Sequence, residues 1–291
     1  MIIPSKPQSL TRAEYEAIDA IHWSTLKLMG RSPAHYLNAL QPATADESDT
    51  AARQRGRVLH MAIFEPHRLA SEVVVYRDRR AGKKWEDFEA AHEGKEIITS
   101  RMSDAVDGLR AAARASALAS KYLAGGKAEQ AVRWKHVTPA VGDFPAVEFD
   151  CKGRLDFIAN VGAIVDLKVT KDASPSGFGR EVMRYDYHGQ AAFYADGHEA
   201  MTGERLPFVI VAVEAVAPFV VQVYRVTDEQ LELGRDLYTK HLAHLDVCRR
   251  TSSWPGYADT EMPLHLPRWA TPAEDEDASG FDLIIGGEEA A

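Results

Sequence analysis

Residues 147–170, VEFDCKGRLDFIANVGAIVDLKVT, constrain the fold more than any other stretch. From Val147 to Phe157 the odd positions include Val147, Phe149, Cys151, Leu155 and Phe157. The even ones are Glu148, Asp150, Lys152, Arg154 and Asp156, and Gly153 is the one interruption. Period-two alternation of this kind belongs to a strand with one buried face. In the next run, Val165, Leu167 and Val169 alternate with Ile164, Asp166, Lys168 and Thr170, so Asp166 and Lys168 share a face. Asn160-Val161-Gly162 fits a three-residue hairpin loop with glycine in the left-handed position. That loop pairs Ala159 with Ala163, and by the same register Asp156 with Asp166.

Two carboxylates and an ammonium then share one patch of sheet. Carboxylates directly opposite each other repel, and a divalent cation between them removes the cost. Oxygen ligands suit Mg2+, with Mn2+ as a substitute. A metal there would polarise a phosphoryl oxygen and lower the pKa of a bound water. Lys168 is placed to orient that water or to neutralise developing charge. The other reading is a solvated polar face with a chance charge pair. On repulsion alone, Asp166→Asn is expected to stabilise the metal-free protein by ~0.5 kcal/mol.

The spacing D-x9-D-x-K, from Leu155-Asp156 to Asp166-Leu167-Lys168, resembles the core of the PD-(D/E)xK nucleases, with Leu155 where that family carries proline. The segments HWSTLKLMGRSPAHYLNAL, GRVLHMAIFEP, IVDLKVTKDA, YDYHGQAAFYADGHEA and LHLPRWA resemble the RecE-type (exonuclease VIII) nuclease domain. Together they span His22 to Ala270. The resemblance implies an α/β domain over residues 1–270 with a central twisted mixed sheet flanked by helices. It implies metal ligands at His60 (in a GxxxH pattern with Gly56), Glu129, Asp156, Asp166 and the backbone carbonyl of Leu167. Lys168 would position or activate water. In the QxxxY pattern, Gln190 would contact the DNA end or scissile phosphate, and Tyr194 would pack beside the lysine. The implied activity is Mg2+-dependent digestion of linear duplex DNA from its 5′ ends, leaving 3′ single-stranded tails. The implied partners are a single-strand annealing protein and further copies of the chain, in a ring of three or four. An endonuclease of the same fold and a DNA-binding module without catalysis are the alternatives; the intact Asp156, Asp166 and Lys168 argue against the second.

Composition sets outer limits. At 291 residues and 45% hydrophobic content, the chain can bury one sizeable core. No apolar run spans a bilayer and no signal peptide opens the sequence, so a cytoplasmic location is expected. Two cysteines, Cys151 and Cys248, fit a reducing compartment and exclude a four-cysteine cluster within this chain. The net charge is −9, but residues 271–291 hold seven carboxylates and no Lys or Arg, which leaves the rest of the chain at −2. That tail reads as a disordered acidic segment, and a nearly neutral body argues against tight non-specific coating of DNA.

Elsewhere, Thr11-Arg12-Ala13-Glu14 and Thr227-Asp228-Glu229-Gln230 are capping boxes, and Ser32-Pro33 opens a helix. Ser24 is expected to cap the helix STLKLMG and, with Lys27 a turn on, to offer a phosphate site. Arg77, Arg79, Arg80, Lys83 and Lys84 beside Trp85 read as a loop against a nucleic-acid backbone, or as a solvated loop. One alanine-rich helix is expected over Ser100–Ala124. A loop is expected over Lys171–Gly179, and a helix over Tyr185–Met201. His241 and His244, three apart with no acidic cluster, read as structural.

Overall fold

The computed structural model describes residues 6–41, 50–140 and 145–264. The chain divides into a compact unit, Met1–Gly256, and a second, Tyr257–Ala291. The acidic segment 271–291 and all but the first residue of LHLPRWA lie outside the described residues.

Strand β1 (Gln8–Ser9) and helix α1 (Arg12–Glu16) come first, followed by β2 (Ile21–His22), α2 (Trp23–Leu26), a 3-10 turn (Lys27–Gly30) and α3 (Pro33–Ala39). Next are α4 (Ala51–Phe64), α5 (Pro66–Glu72), β3 (Val73–Tyr76), α6 (Lys83–Ala91), β4 (Glu96–Thr99), α7 (Ser100–Ala115) and α8 (Ala117–Leu123). The central strands β5 (Gly126–Thr138), β6 (Val147–Ala159) and β7 (Ala163–Thr170) precede α9 (Pro175–Tyr185) and α10 (Tyr187–Thr202). β8 (Phe208–Glu214), β9 (Val221–Arg225) and α11 (Asp228–Thr251) complete the unit.

The main sheet runs β1-β5-β6-β7-β8-β9, with β2 also on β6. It is mixed: β6 and β7 are antiparallel, β7 and β8 parallel. Two cores cover it. One contains Trp23, Leu26, Tyr36, Phe193 and Leu242 from the α2, α3, α10 and α11 side. The other contains Val58, Leu59, Leu109, Val165 and Val211 with α4 and α7. Each such side chain, fully buried, contributes about 1.5–3 kcal/mol, so both faces of the sheet are held by helices. This is the α/β architecture expected from the sequence. β3 and β4 form a separate two-stranded parallel sheet.

The hairpin register is as expected where the ladder runs: Ala159 pairs with Ala163, Ile158 with Ile164 and Phe157 with Val165, and Gly162 has φ +76°. One residue further, at Asp156 and Asp166, the ladder stops. β2 occupies the same edge of β6 lower down, at Cys151 and Lys152. Asp156 therefore sits in a gap between two strands. Across β6, Ala128 pairs with Phe157 and Gln130 with Leu155. Glu129 is thus opposite Asp156, but with φ +51° and no rung of its own. Leu155 and Val132 pack into the first core, while Phe157 and Ala128 pack into the second. The alternation changes core at this step, so the odd positions of β6 do not all face one way as the period alone implied.

Local corrections follow from caps. The N-cap of α2 is His22, not Ser24. The expected single helix over Ser100–Ala124 breaks at Ser116, whose side chain accepts from Ala119 N–H to start α8. Ser174-Pro175 opens α9 inside the expected loop. Lys83 and Lys84 belong to the first turn of α6 rather than to a loop. Both capping boxes form as read.

Candidate active site

The gap beside Asp156 opens into a cleft of about 980 Å³. Gly56, Arg57, His60 and Met61 line it from one face of α4, with Glu129, Arg154 and Asp156 from β5 and β6. A Cβ on Gly56 would meet nothing within 4 Å, so this glycine serves no internal packing and leaves the cleft wall bare.

His60 reaches across the sheet. Its Nε2–H donates to the Leu167 carbonyl at 3.0 Å, and its Nδ1 faces Asp156 Oδ2 at 3.6 Å. With the proton on Nε2, two lone pairs face each other across that gap, and a cation between them resolves the conflict. Asp156 Oδ2 also accepts from the Leu167 N–H at 3.1 Å, so a side chain takes over where the strand ladder ends. Burial raises the Asp156 pKa, the Asp166 charge adds to this, and His60, Lys168 and the Leu167 amide oppose it.

Asp166 is 4% exposed at its side chain, and Lys168 Nζ lies 2.6 Å from its Oδ2. The ammonium is thus the close charged partner of a buried carboxylate oxygen. Burial pushes the Lys168 ammonium down, but Asp166 and Asp156 outweigh it, and its pKa is raised. The ammonium lies over the ring of Tyr187, 4.7 Å from its centre.

Other expected site residues are placed as follows. Glu129 is held by an ion pair with Arg154. Tyr194 packs on Gly153, where a Cβ would come within 2.9 Å of the ring. Burial raises its pKa, while the Gln190 side chain reaches its oxygen. Ser24 Oγ bonds His22 Nδ1 at 2.7 Å. Lys27 is half-buried, with its pKa lowered by burial and by Lys168 and supported by Asp186, which puts it in electrostatic reach of the site. Arg80 donates to the Ile97 carbonyl and lies over Trp85. Lys83 and Lys84 face Asp87 and Asp78. None of Arg79, Arg80, Lys83 and Lys84 lines the cleft, whose arginines are Arg12, Arg57, Arg68 and Arg154.

Among the described residues, no three His, Cys, Asp or Glu side chains form a ready metal cluster. Glu129 is drawn to Arg154 and Asp166 to Lys168. The remaining donors still fit a hard cation. Ligands about 2.1 Å from an octahedral Mg2+ lie about 3.0 Å apart when adjacent and about 4.2 Å apart when opposite, and the 3.6 Å between His60 Nδ1 and Asp156 Oδ2 falls within that range.

Residues 23–261 match the family described as PDDEXK-like domain of unknown function (DUF3799). The chain belongs to that family. Nucleases with a PDDEXK fold generally use divalent metal ions. The crystal structure of a Eubacterium rectale protein, named provisionally as an exonuclease, superposes on this PDDEXK-like chain with a TM-score of 0.58. The identity is 16%, over 89% of this chain and 96% of that one. SSO0001 aligns over 62% of this chain and 84% of its own at 14% identity, with a TM-score of 0.27. No curated protein matches. No helix among the described residues is long and apolar enough to cross a membrane.

Sequence reasoning missed two residues of this PDDEXK-like site. Arg154 precedes Asp156 by two on the same strand, and that spacing was the available signal. Tyr187 stands three before Gln190 and seven before Tyr194, on the same helical face.

Proposed function

We propose that this chain is a divalent-metal-dependent exonuclease that digests linear duplex DNA from its 5′ ends. It leaves 3′ single-stranded tails for recombination by strand annealing. The observation that carries this reading is the meeting of His60, Asp156, the Leu167 carbonyl, Asp166 and Lys168 at the break in the sheet. Membership in a PDDEXK-like family and the fold shared with the Eubacterium rectale protein support it.

His60, Asp156, Asp166 and the Leu167 carbonyl would hold the metal, with Glu129 at its edge. Those residues would hold Mg2+, or Mn2+ in its place, which would supply polarisation of the scissile phosphoryl group and a lowered pKa for a water. Lys168, paired with Asp166 in the metal-free protein, would position or activate the attacking water and offset developing negative charge. Gln190, Ser24 and Lys27 bind phosphates at the DNA end, and Tyr194 fixes Gln190. Arg79, Arg80, Lys83 and Lys84 contact the duplex backbone away from the cleft. A ring of three or four copies around the duplex would keep a nearly neutral body on its substrate, and a strand-annealing protein would receive the tail.

The test is digestion of linear duplex labelled at either 5′ or 3′ end, with and without Mg2+. Early release of the 5′ label, with circular duplex untouched, is the expected result; cutting of the circle would favour an endonuclease.

A further inference from the structure

Lys168 has two close partners of different chemistry. Asp166 Oδ2 is 2.6 Å away, and the Tyr187 ring centre is 4.7 Å away. A divalent cation that takes Asp166 competes with Lys168 for that carboxylate. It does not compete for the ring, because hard cations take oxygen ligands rather than a π face. Lys168 carries its charge on a flexible stem, and Lys27 lies close enough to repel it. Without a second anchor, sharing of Asp166 would release the ammonium to other rotamers. Tyr187 is itself fixed. Its ring packs on that of Phe178, which is 1% exposed, at 6.1 Å between centres, and stacks with Tyr185 at 5.6 Å.

We propose that Tyr187 is a positioning residue for Lys168, whose ring face holds the ammonium in the productive place once Asp166 is shared with a metal. This rests on the nuclease reading above, and the experiment separates the two.

The first arm needs no catalysis. Urea unfolding is measured for the wild type, Tyr187→Leu, Lys168→Met and the double variant without metal. The expected result is a non-additive shift in stability, since the ring loses its partner in either background. Additive shifts overturn the proposal. If Tyr187→Leu does not fold, Tyr187→Met takes its place. The second arm is digestion of linear duplex with Mg2+, beside Mn2+ titration by calorimetry. Tyr187→Leu should lower kcat about tenfold, on the scale of one desolvated cation–π contact. KM and Mn2+ affinity should change by less than about twofold on that same account. Tyr187→Phe, which keeps the ring face, should recover most of the rate. A phenylalanine variant as slow as the leucine one, or a leucine variant with unchanged kcat, overturns the proposal. A wild-type protein that cuts nothing overturns the nuclease reading, and the unfolding cycle then decides the contact alone.

Discussion

Leu167 N–H donates to Asp156 Oδ2 at 3.1 Å, at the point where β6 and β7 cease to pair. A carboxylate there replaces a backbone acceptor, and its presence in the gap is what exposes Asp156 to the cleft and to His60. The site is thus a consequence of an interrupted ladder, and its residues can be perturbed one at a time.

Asp166→Asn should abolish metal-dependent cleavage and lower stability without metal. From the sequence, only repulsion with Asp156 is visible, and its relief predicts a small gain. The structure reverses the sign, because Lys168 is the nearer partner, at 2.6 Å in a buried setting. Taking the carboxylate from that buried ammonium costs up to about 3–5 kcal/mol on the scale of broken buried pairs. Urea unfolding of the metal-free variant checks this, and a midpoint at or above wild type would contradict it.

Lys152→Met should destabilise the N-terminal segment. The ammonium is buried and donates to the carbonyls of Tyr15, Glu16 and Ile18 at 3.0, 3.4 and 2.6 Å. Methionine fills the space but takes the donor away from these part-buried carbonyls, which costs about 1–3 kcal/mol. Chemical denaturation gives the size, and hydrogen exchange over residues 12–22 should show where the loss falls.

Gly153→Ala should impair activity with modest loss of stability. The added methyl comes within 2.9 Å of Tyr194 Cδ1 and 3.3 Å of Val132 Cγ2. The ring must move, and overpacking of this kind costs about 1–3 kcal/mol. Activity assays beside thermal melts would show whether the shift of Tyr194 and its Gln190 partner reaches catalysis. An alanine variant identical to wild type in both would mean the ring yields freely.

Stability should fall as pH drops from about 6.5 toward 5, the range set by the ordinary histidine pKa. His22, His136 and His241 are all depressed, chiefly by burial; Lys152 adds to the shift at His22, and Asp196 opposes it at His136. A depressed folded pKa means that the unfolded chain takes up protons first. The contribution is therefore complete above the unfolded pKa and is lost as pH falls through the folded one. Thermal melts across that range check this; a Tm that holds or rises would contradict it.

Much of this was legible in residues 147–170, because period-two alternation and Asn160-Val161-Gly162 specify a hairpin locally. The cap signals at Thr11, Ser32 and Thr227 were legible for the same reason. The break at Ser116 was not, since a serine inside an alanine-rich run gives little sign of whether it caps or continues a helix. Glu129 was placed near the site, but its left-handed backbone is unusual for a residue with a side chain and no local pattern announces it. The pairings of Arg154 with Glu129 and of Lys168 with Tyr187 depend on long-range packing. They decide which carboxylates and ammonium are free to act, and only the folded arrangement reveals them.

The most direct test of the central claim is the time course of end-labelled linear duplex, with and without Mg2+, for the wild type and Lys168→Met. The account predicts Mg2+-dependent release from 5′ ends by the wild type, resistance of circular duplex, and no release by the variant despite a native fold. Release without a divalent cation, or at an unchanged rate by Lys168→Met, would contradict it.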